Sequence, residues 1–210
     1  MNSRIIGLCL VLSTACYLLS YGIGWAGVIP SRAERYRALL IREARVVWGM
    51  DAPVATFAAQ IHQESMWRAD AVSRAGAQGL AQFMPATARW LPSVAPRTGE
   101  PLPLNPSWSI RAMLEYDRWL YQRIPVAPVC DRWAMTLSAY NGGLGWLRRD
   151  RALAAEYGLD SSRWEHVKLV NAGRSAASYR ENRGYPDRIL NRLTPVYRSA
   201  GWGRGACDVD

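Results

Sequence analysis

An uncharged stretch near the amino terminus constrains this chain of 210 residues more than any other feature. It runs from Ile5 to Ile29, directly after Arg4. About 20 apolar residues suffice to span a bilayer, so residues 5–29 predict a contact with the membrane. The chain therefore divides into an N-terminal segment, residues 1–30, and a remainder, residues 31–210. That remainder is long enough to bury one substantial core, so we expect a single domain.

Two interpretations of the N-terminal segment compete. It is either an uncleaved signal anchor or a signal peptide that is cut after the small-x-small triplet Gly24, Trp25 and Ala26. The length of the segment and the aromatic residues Tyr21 and Trp25 favour the anchor. The positive-inside rule instead favours a cytoplasmic C-terminal side, because three arginines follow the segment: Arg32, Arg35 and Arg37. Long folded domains often override this rule.

The charge pattern argues against a nucleic-acid partner. The chain carries a formal charge of +9, and Lys168 is the only lysine among its 26 basic residues. The arginines are spread along the sequence, and no zinc-finger spacing, basic zipper or aromatic RNA-binding signature is present. The positive charge suits a membrane surface or a polyanionic cell wall, and we predict no nucleic-acid binding.

Two apolar stripes at helical spacing begin the predicted domain. The first spans Arg35 to Trp48 and should stop at Gly49, after which Asp51 could cap a second helix. The second stripe holds four residues on one face: Val54, Phe57, Ile61 and Glu64. The sequence thus predicts two helices, the second of which carries an acid on its apolar face.

Glu64 is the first candidate for chemistry. Burial raises the pKa of a carboxyl group because the charged form loses its water, and a carboxyl group that stays protonated near neutral pH can serve as a general acid. The alternative is a side chain that turns to solvent or pairs with Arg68, four residues further on. A polar loop with Gly76 and Gly79 follows, and Pro85 then suits the first turn of another helix.

Three ordered blocks resemble one enzyme family. The residues from Glu64 to Ala88 resemble the signature of the soluble lytic transglycosylase (SLT) domain, the lysozyme-like enzymes that cleave peptidoglycan. The block from Ala139 to Gly143, AYNGG, and the block from Glu181 to Leu190, ENRGYPDRIL, resemble two further motifs of that family. The departures are small, since Ala81, Phe83 and Asn182 replace the commoner Met, Leu and Thr.

The resemblance implies a mainly α, lysozyme-like catalytic domain at residues 31–210. It also implies a lytic transglycosylase that cleaves the β-1,4 bond between N-acetylmuramic acid and N-acetylglucosamine and leaves a 1,6-anhydromuramic end. Glu64 would be the catalytic acid and base. The residues expected to bind the glycan are Ser73, Gln82, Met84, Tyr140, Asn141 and Tyr185. No cofactor or metal is implied, and His62 and His166 are too isolated in the sequence to suggest a metal site.

Two other functions remain open at this stage: a hydrolysing muramidase, and a non-catalytic, membrane-anchored module that binds the cell wall. Most glycosidases use two carboxylates, and the next acids after Glu64 are Asp70 and Glu100. The resemblance gives neither a role. A lone acid suffices where the 2-acetamido group of the substrate stabilises the positive charge at C1, which favours the transglycosylase.

The substrate implies a location. Peptidoglycan lies outside the cytoplasmic membrane, so we expect the domain at the periplasmic face of that membrane, or free in the periplasm if the segment is cleaved. Cys130 and Cys207 are the two cysteines outside the N-terminal segment, and an oxidising compartment would permit a bridge between them. Two unrelated thiols are the alternative. We also expect surface loops at Leu91–Pro106 and Gly173–Gly184.

Overall fold

A computed structural model describes residues 28–124 and 127–208. The predicted membrane segment, apart from Val28 and Ile29, lies outside the described residues. Within the described ranges, no helix is both long and apolar enough to cross a bilayer. Their regular structure is helical, with two isolated β-bridges and no named strand.

The prediction of a mainly α-helical protein is confirmed. The α-helices in the described part of the chain are α1 (Glu34–Trp48), α2 (Val54–Ser65), α3 (Pro85–Trp90), α4 (Pro106–Gln122), α5 (Val129–Gly142), α6 (Leu144–Glu156), α7 (Trp164–Val167), α8 (Ala176–Asp187) and α9 (Thr194–Ser199). Short 3₁₀ turns lie at Ser31–Ala33, Leu91–Ser93 and Pro96–Thr98, and a π-helical turn at Arg188–Leu193 joins α8 to α9.

The first predicted helix ends where its sequence indicates. Gly49 has φ +85°, which glycine adopts at little cost, and its N–H donates to the carbonyl of Arg45 at 2.9 Å. Asp51, however, does not cap α2. It is exposed, and its carboxylate lies 4.0 Å from the guanidinium of Arg204. The carbonyl of Arg204 instead accepts the free N–H of Ala55 at 3.1 Å, so the C-terminal tail caps this helix.

Helix α2 is the central element of the fold. Every residue from Val54 to His62 is buried, whereas a helix at a protein surface buries a single stripe. Buried polar side chains need partners, and three of those on α2 find them on other helices. Thr56 lies 3.3 Å from Thr194, Gln60 bonds to α4, and His62 Nδ1 lies 3.0 Å from the Tyr197 hydroxyl.

Aromatic rings fill the core between α1, α2 and α5. Trp48 contacts Phe57 at 5.6 Å and Trp133 at 4.8 Å between ring centroids, and Phe57 contacts Trp133 at 5.7 Å in an edge-on arrangement. Such pairs add to the free energy gained from burial. These three rings hold the middle of α2 in place, and Glu64 lies two turns further along the same helix.

Both predicted loops prove to be more ordered than expected. The Gly173–Gly184 stretch becomes helical at Ala176, because the Ser175 hydroxyl accepts the N–H of Ser178 at 3.2 Å and caps α8. In the Leu91–Pro106 stretch, Leu91 and Thr98 are buried beside two 3₁₀ turns. A proline-rich segment can therefore contribute to the core when its apolar residues find a surface to cover.

The disulfide between Cys130 and Cys207 is formed, as predicted, with an S–S distance of 1.98 Å. It joins the first turn of α5 to the C-terminal tail. The tail is also held by hydrogen bonds, including one from the N–H of Ala206 to the Thr56 hydroxyl at 2.9 Å, and Trp202 is buried. The bridge is therefore one of several contacts that hold this tail.

Candidate active site

Glu64 is the penultimate residue of α2, and an unusual turn ends the helix just after it. Met66 and Trp67 adopt left-handed backbone angles, with φ of 51° and 64°. Such angles cost a non-glycine residue about 1–3 kcal/mol. Trp67 offsets this cost because its ring is buried and its Nε1 donates to the Tyr197 hydroxyl at 2.6 Å. The packing of Trp67 thus fixes the end of the helix that carries Glu64.

The carboxyl group of Glu64 meets the phenol of Tyr185, which reaches it from α8. The Tyr185 hydroxyl donates a hydrogen bond to Glu64 Oε1. The pKa of Glu64 is raised from its usual 4.5 to about 8, chiefly because burial removes hydration from the charged form. The hydrogen bond from Tyr185 opposes this rise, and the charge of Glu181 adds to it. Arg68 does not pair with Glu64, since its Nε donates to the carbonyl of Ser65 at 3.3 Å.

The loop after Glu64 is built largely from its own hydrogen bonds. The Ser73 hydroxyl accepts the N–H of Ala77 at 3.0 Å and closes a tight turn. Gln82 has φ +48°, and its side-chain Nε2 donates to the carbonyls of Ala71 and Gly79 at 3.2 and 2.9 Å. Both predicted binding residues therefore shape the loop in this structure.

Gly79 marks the closest approach in this loop. A Cβ atom at this position would lie 1.8 Å from the carbonyl oxygen of Pro103, so a larger residue would push the two segments apart. The N–H of Ala81 donates to the Ser109 hydroxyl on α4 at 3.1 Å. The loop is therefore fastened to the body of the protein on the side of α4.

Tyr140 and Asn141 lie near the C-terminal end of α5. The Tyr140 hydroxyl donates to the carbonyl of Ala81 at 2.8 Å, which links α5 to the loop. Burial raises the pKa of Tyr140 well above its usual value, and the charge of Glu64 adds to this effect. Asn141 accepts a hydrogen bond from Asn182 at 3.1 Å, and its own Nδ2 lies 3.5 Å from Glu181.

The predicted residues thus form two groups, one around the carboxyl group of Glu64 and one on the loop that follows it. Tyr185 contacts Glu64 directly, Tyr140 interacts with it electrostatically, and Asn141 contacts Glu181, which raises the pKa of Glu64. Ser73, Gln82 and Met84 lie on the loop and make no hydrogen bond to Glu64 in the described ranges. The side chain of Met84 is exposed, just before α3 begins at Pro85.

Sequence reasoning missed the polar groups that hold Asn141 and surround Glu64. Asn182 is buried, exchanges hydrogen bonds with Ser138, and donates to Asn141. Glu181 precedes it in the ENRGYPDRIL block, so the motif contained the signal without assigning it a role. Asp117 on α4 is a third carboxyl group close enough to interact with Glu64, and no motif marked it.

The described ranges contain no group of three or more histidine, cysteine, aspartate or glutamate side chains arranged to hold a metal. His62 is paired with Tyr197, and His166 Nδ1 accepts the N–H of Asp160 at 3.0 Å. At Glu64 the site offers a carboxyl group with a raised pKa that is held by a tyrosine hydroxyl.

Comparison with known proteins shows that this helical fold is lysozyme-like. The structure is similar to the 70 kDa soluble lytic transglycosylase from Escherichia coli, with a TM-score of 0.60 and 25% sequence identity; the match covers 80% of this chain and 25% of that one. The profile of the transglycosylase SLT domain family matches residues 40–161. The chain belongs to this family. The matched range contains Glu64, Tyr140 and Asn141 and ends before Tyr185.

Curated relatives share the domain and are much longer. The chain is 33% identical over 144 residues to a membrane-bound lytic murein transglycosylase F of Marinobacter nauticus, covering 67% of this chain and 26% of that protein. It is 41% identical over 110 residues to the protein of the same name from Hahella chejuensis, covering 51% of this chain and 20% of that protein. The chain thus spans about a fifth to a quarter of the length of these relatives.

Proposed function

We propose that this protein is a lytic transglycosylase that cleaves the glycan strands of peptidoglycan between N-acetylmuramic acid and N-acetylglucosamine. One observation carries the proposal: Glu64 has a pKa of about 8 and is held by the phenol of Tyr185. A carboxyl group in this state is protonated at neutral pH and oriented for proton transfer. Membership in the SLT domain family supports the reaction class.

The hydrogen bond with Tyr185 suits Glu64 to act as an acid. The phenol donates to Oε1, which disfavours protonation of that oxygen and leaves the proton on Oε2. Oε2–H can then protonate the glycosidic oxygen as the C1–O bond breaks. The 2-acetamido group of N-acetylmuramic acid stabilises the positive charge at C1. Ionised Glu64 next takes the proton of the C6 hydroxyl, whose oxygen bonds to C1 and gives the 1,6-anhydro end. No water is consumed.

The remaining site residues would bind the glycan. We propose that Tyr140, Asn141 and Tyr185 border the cleft at the carboxyl group, where hydroxyl and amide groups suit an acetamido substituent. Ser73 and Gln82 hold the loop that forms the opposite wall, and the exposed side chain of Met84 offers a soft apolar surface to a sugar ring. Residues 31–210 would form the catalytic domain.

The rate should fall at alkaline pH. Because Glu64 must start protonated and its pKa is about 8, kcat/KM should be level near neutral pH and fall about tenfold per pH unit above pH 8. This fall is called here the alkaline limb. Initial rates of soluble fragment release between pH 6 and 10 measure it. A rate that rises through pH 8 would show that the resting enzyme needs an ionised base.

The masses of the released fragments test the reaction itself. Digestion of purified peptidoglycan should yield fragments with anhydromuramic ends, each lighter by one water than a hydrolysis product. Fragments with reducing muramic acid ends would show a hydrolysing muramidase, and no fragments at all would show a module that only binds the wall. Digestion in water enriched in ¹⁸O adds an independent readout, because only hydrolysis incorporates the label.

A hydrolytic mechanism would need a second carboxylate. Asp70 and Glu100 are both exposed, and neither contributes to the pKa shift of Glu64. Glu181 does contribute, so Glu181→Gln is the informative variant. We expect it to keep anhydro products and to move the alkaline limb to lower pH, since a negative charge near Glu64 is removed. If the wild type instead gave reducing ends and the Glu181→Gln variant lost all cleavage, Glu181 would be that second carboxylate.

We further propose that residues 5–29 hold the domain at the periplasmic face of the cytoplasmic membrane, or direct its export if they are cleaved. The names of the relatives include "membrane-bound", and the Cys130–Cys207 bridge suits an oxidising compartment. A reporter enzyme that is active only in the periplasm, fused after residue 210, should be active. A silent fusion would contradict this location.

A further inference from the structure

Gln60 and Asp117 form a buried pair, called here the acid–amide pair, that lies close enough to Glu64 for Asp117 to interact with its charge. Gln60 lies on α2, one helical turn before Glu64, and Asp117 lies on α4; both side chains are completely buried. Gln60 Nε2 donates to Asp117 Oδ1 at 3.3 Å. Two oxygens of the same pair, Gln60 Oε1 and Asp117 Oδ2, have no hydrogen-bond partner in the described part of the chain.

One proton would satisfy both of these oxygens. A protonated carboxyl group has one O–H donor, so a proton on Asp117 Oδ2 supplies the donor that Gln60 Oε1 lacks. A carboxylic acid and a carboxamide can form two antiparallel hydrogen bonds of this kind. An ionised Asp117 would instead be a buried charge with a single neutral donor, an arrangement that is strongly unfavourable.

The titratable neighbours of the pair offer an ionised Asp117 no opposite charge, because in the described ranges none of them is a cation. The titratable groups that interact with Asp117 are Glu64 on α2, Tyr116 on α4, Tyr140 on α5 and Tyr185 on α8, and each is an acid. Burial raises the pKa of Asp117 well above its usual range, the Gln60 hydrogen bond lowers it, and the charge of Glu64 raises it. Gln60, the residue that hydrogen-bonds to Asp117 in the described ranges, is uncharged and cannot neutralise a carboxylate.

We propose that Asp117 is a positioning residue that stays protonated in the working enzyme and joins α2 to α4 through Gln60, which sets the position of Glu64. The proposal rests on the proposed function of Glu64. A neutral pair fixes the last turn of α2 without adding a negative charge beside Glu64. An ionised Asp117 would repel Glu64 at the moment when it has given up its proton.

The conservative variant Asp117→Asn tests the protonation state. Asparagine has nearly the same shape and can form the same two hydrogen bonds with Gln60, so the turnover rate should stay within about threefold of the wild type and the alkaline limb should stay near pH 8. If Asp117 were ionised, the substitution would instead remove a negative charge near Glu64, and the alkaline limb would move to lower pH. A shift of the limb by more than about half a pH unit, or a turnover rate roughly two orders of magnitude lower, would overturn the proposal.

Asp117→Leu and Gln60→Leu test the positioning role. Each leaves one unpaired polar group, so the melting temperature should fall by roughly 2–12 °C. Assayed well below that temperature on a soluble glycan of defined length, kcat should fall roughly 10- to 100-fold with little change in KM. A lower melting temperature with unchanged kcat would show a merely structural pair. The double Leu variant should regain part of the lost stability.

Infrared spectroscopy reads the proton without any assay of activity. At a pH above 9, Glu64 is ionised and no longer contributes the carbonyl band of a protonated carboxyl group. The band that comes from buried, protonated Asp117 should therefore remain in the wild type and vanish in Asp117→Asn. No difference between the two spectra would overturn the proposal even if the protein proved not to cleave peptidoglycan. The fragment masses described above decide the reaction independently.

Discussion

Replacing Glu64 with Gln is expected to reduce the release of anhydromuropeptides by at least about 10²- to 10⁴-fold. The carboxamide keeps the shape of the side chain and can still accept the hydrogen bond from Tyr185, yet it cannot give or take a proton. Because Glu64 serves both as acid and as base in the proposed reaction, both steps would be lost together. Initial rates of fragment release, measured by mass spectrometry at pH 7, check this prediction.

Asp70→Asn is the matched control, since Asp70 is an exposed acid six residues away and should keep nearly full activity. The Glu64→Gln variant should also be at least as stable as the wild type. The unfolded carboxyl group releases its proton near pH 4.5, whereas the folded one keeps it until pH 8. Wild-type stability therefore declines through this window as pH rises. A Gln variant that still cleaves peptidoglycan would exclude Glu64 as the acid.

Removal of the Cys130–Cys207 bridge should give the largest loss of stability. The bridge closes a loop with a sequence separation of 77, and native disulfides of this kind contribute about 2–5 kcal/mol. The Cys130→Ser/Cys207→Ser double variant should therefore melt roughly 4–20 °C below the wild type in calorimetry. Reduced wild-type protein should behave like the double variant.

Activity at 25 °C should change much less than stability, because the carboxyl group of Glu64 is held by the Tyr185 hydroxyl and by neither cysteine. The tail would still be held by its hydrogen bonds to α2 and by the burial of Trp202. Equal melting temperatures for the oxidised wild type and the double variant would show that the bridge adds no stability. Aggregation of the variant at low temperature would point instead to a role in folding.

The sequence predicted those parts of the fold that depend on residues close to one another in the sequence. The stripe from Arg35 to Trp48 and the stop at Gly49 follow from helical periodicity and from the backbone freedom of glycine, and both are present. The start of α3 at Pro85 follows from the tolerance of a first helical turn for proline. Local patterns failed at Gly173–Gly184, where glycines at the two ends hid a helix that is stabilised by the Ser175 cap and by packing on α5.

Sequence reasoning alone placed an acid, Glu64, on the apolar face of a helix, and the family motifs brought Tyr140, Asn141 and Tyr185 into consideration. Only the tertiary structure decided what surrounds that acid. Tyr185 is 121 residues away in sequence from the carboxyl group that it contacts, and Asp117 was unmarked by any motif. The physical reason is that a pKa depends on lost hydration and on nearby charges, which distant segments supply only once the chain has folded.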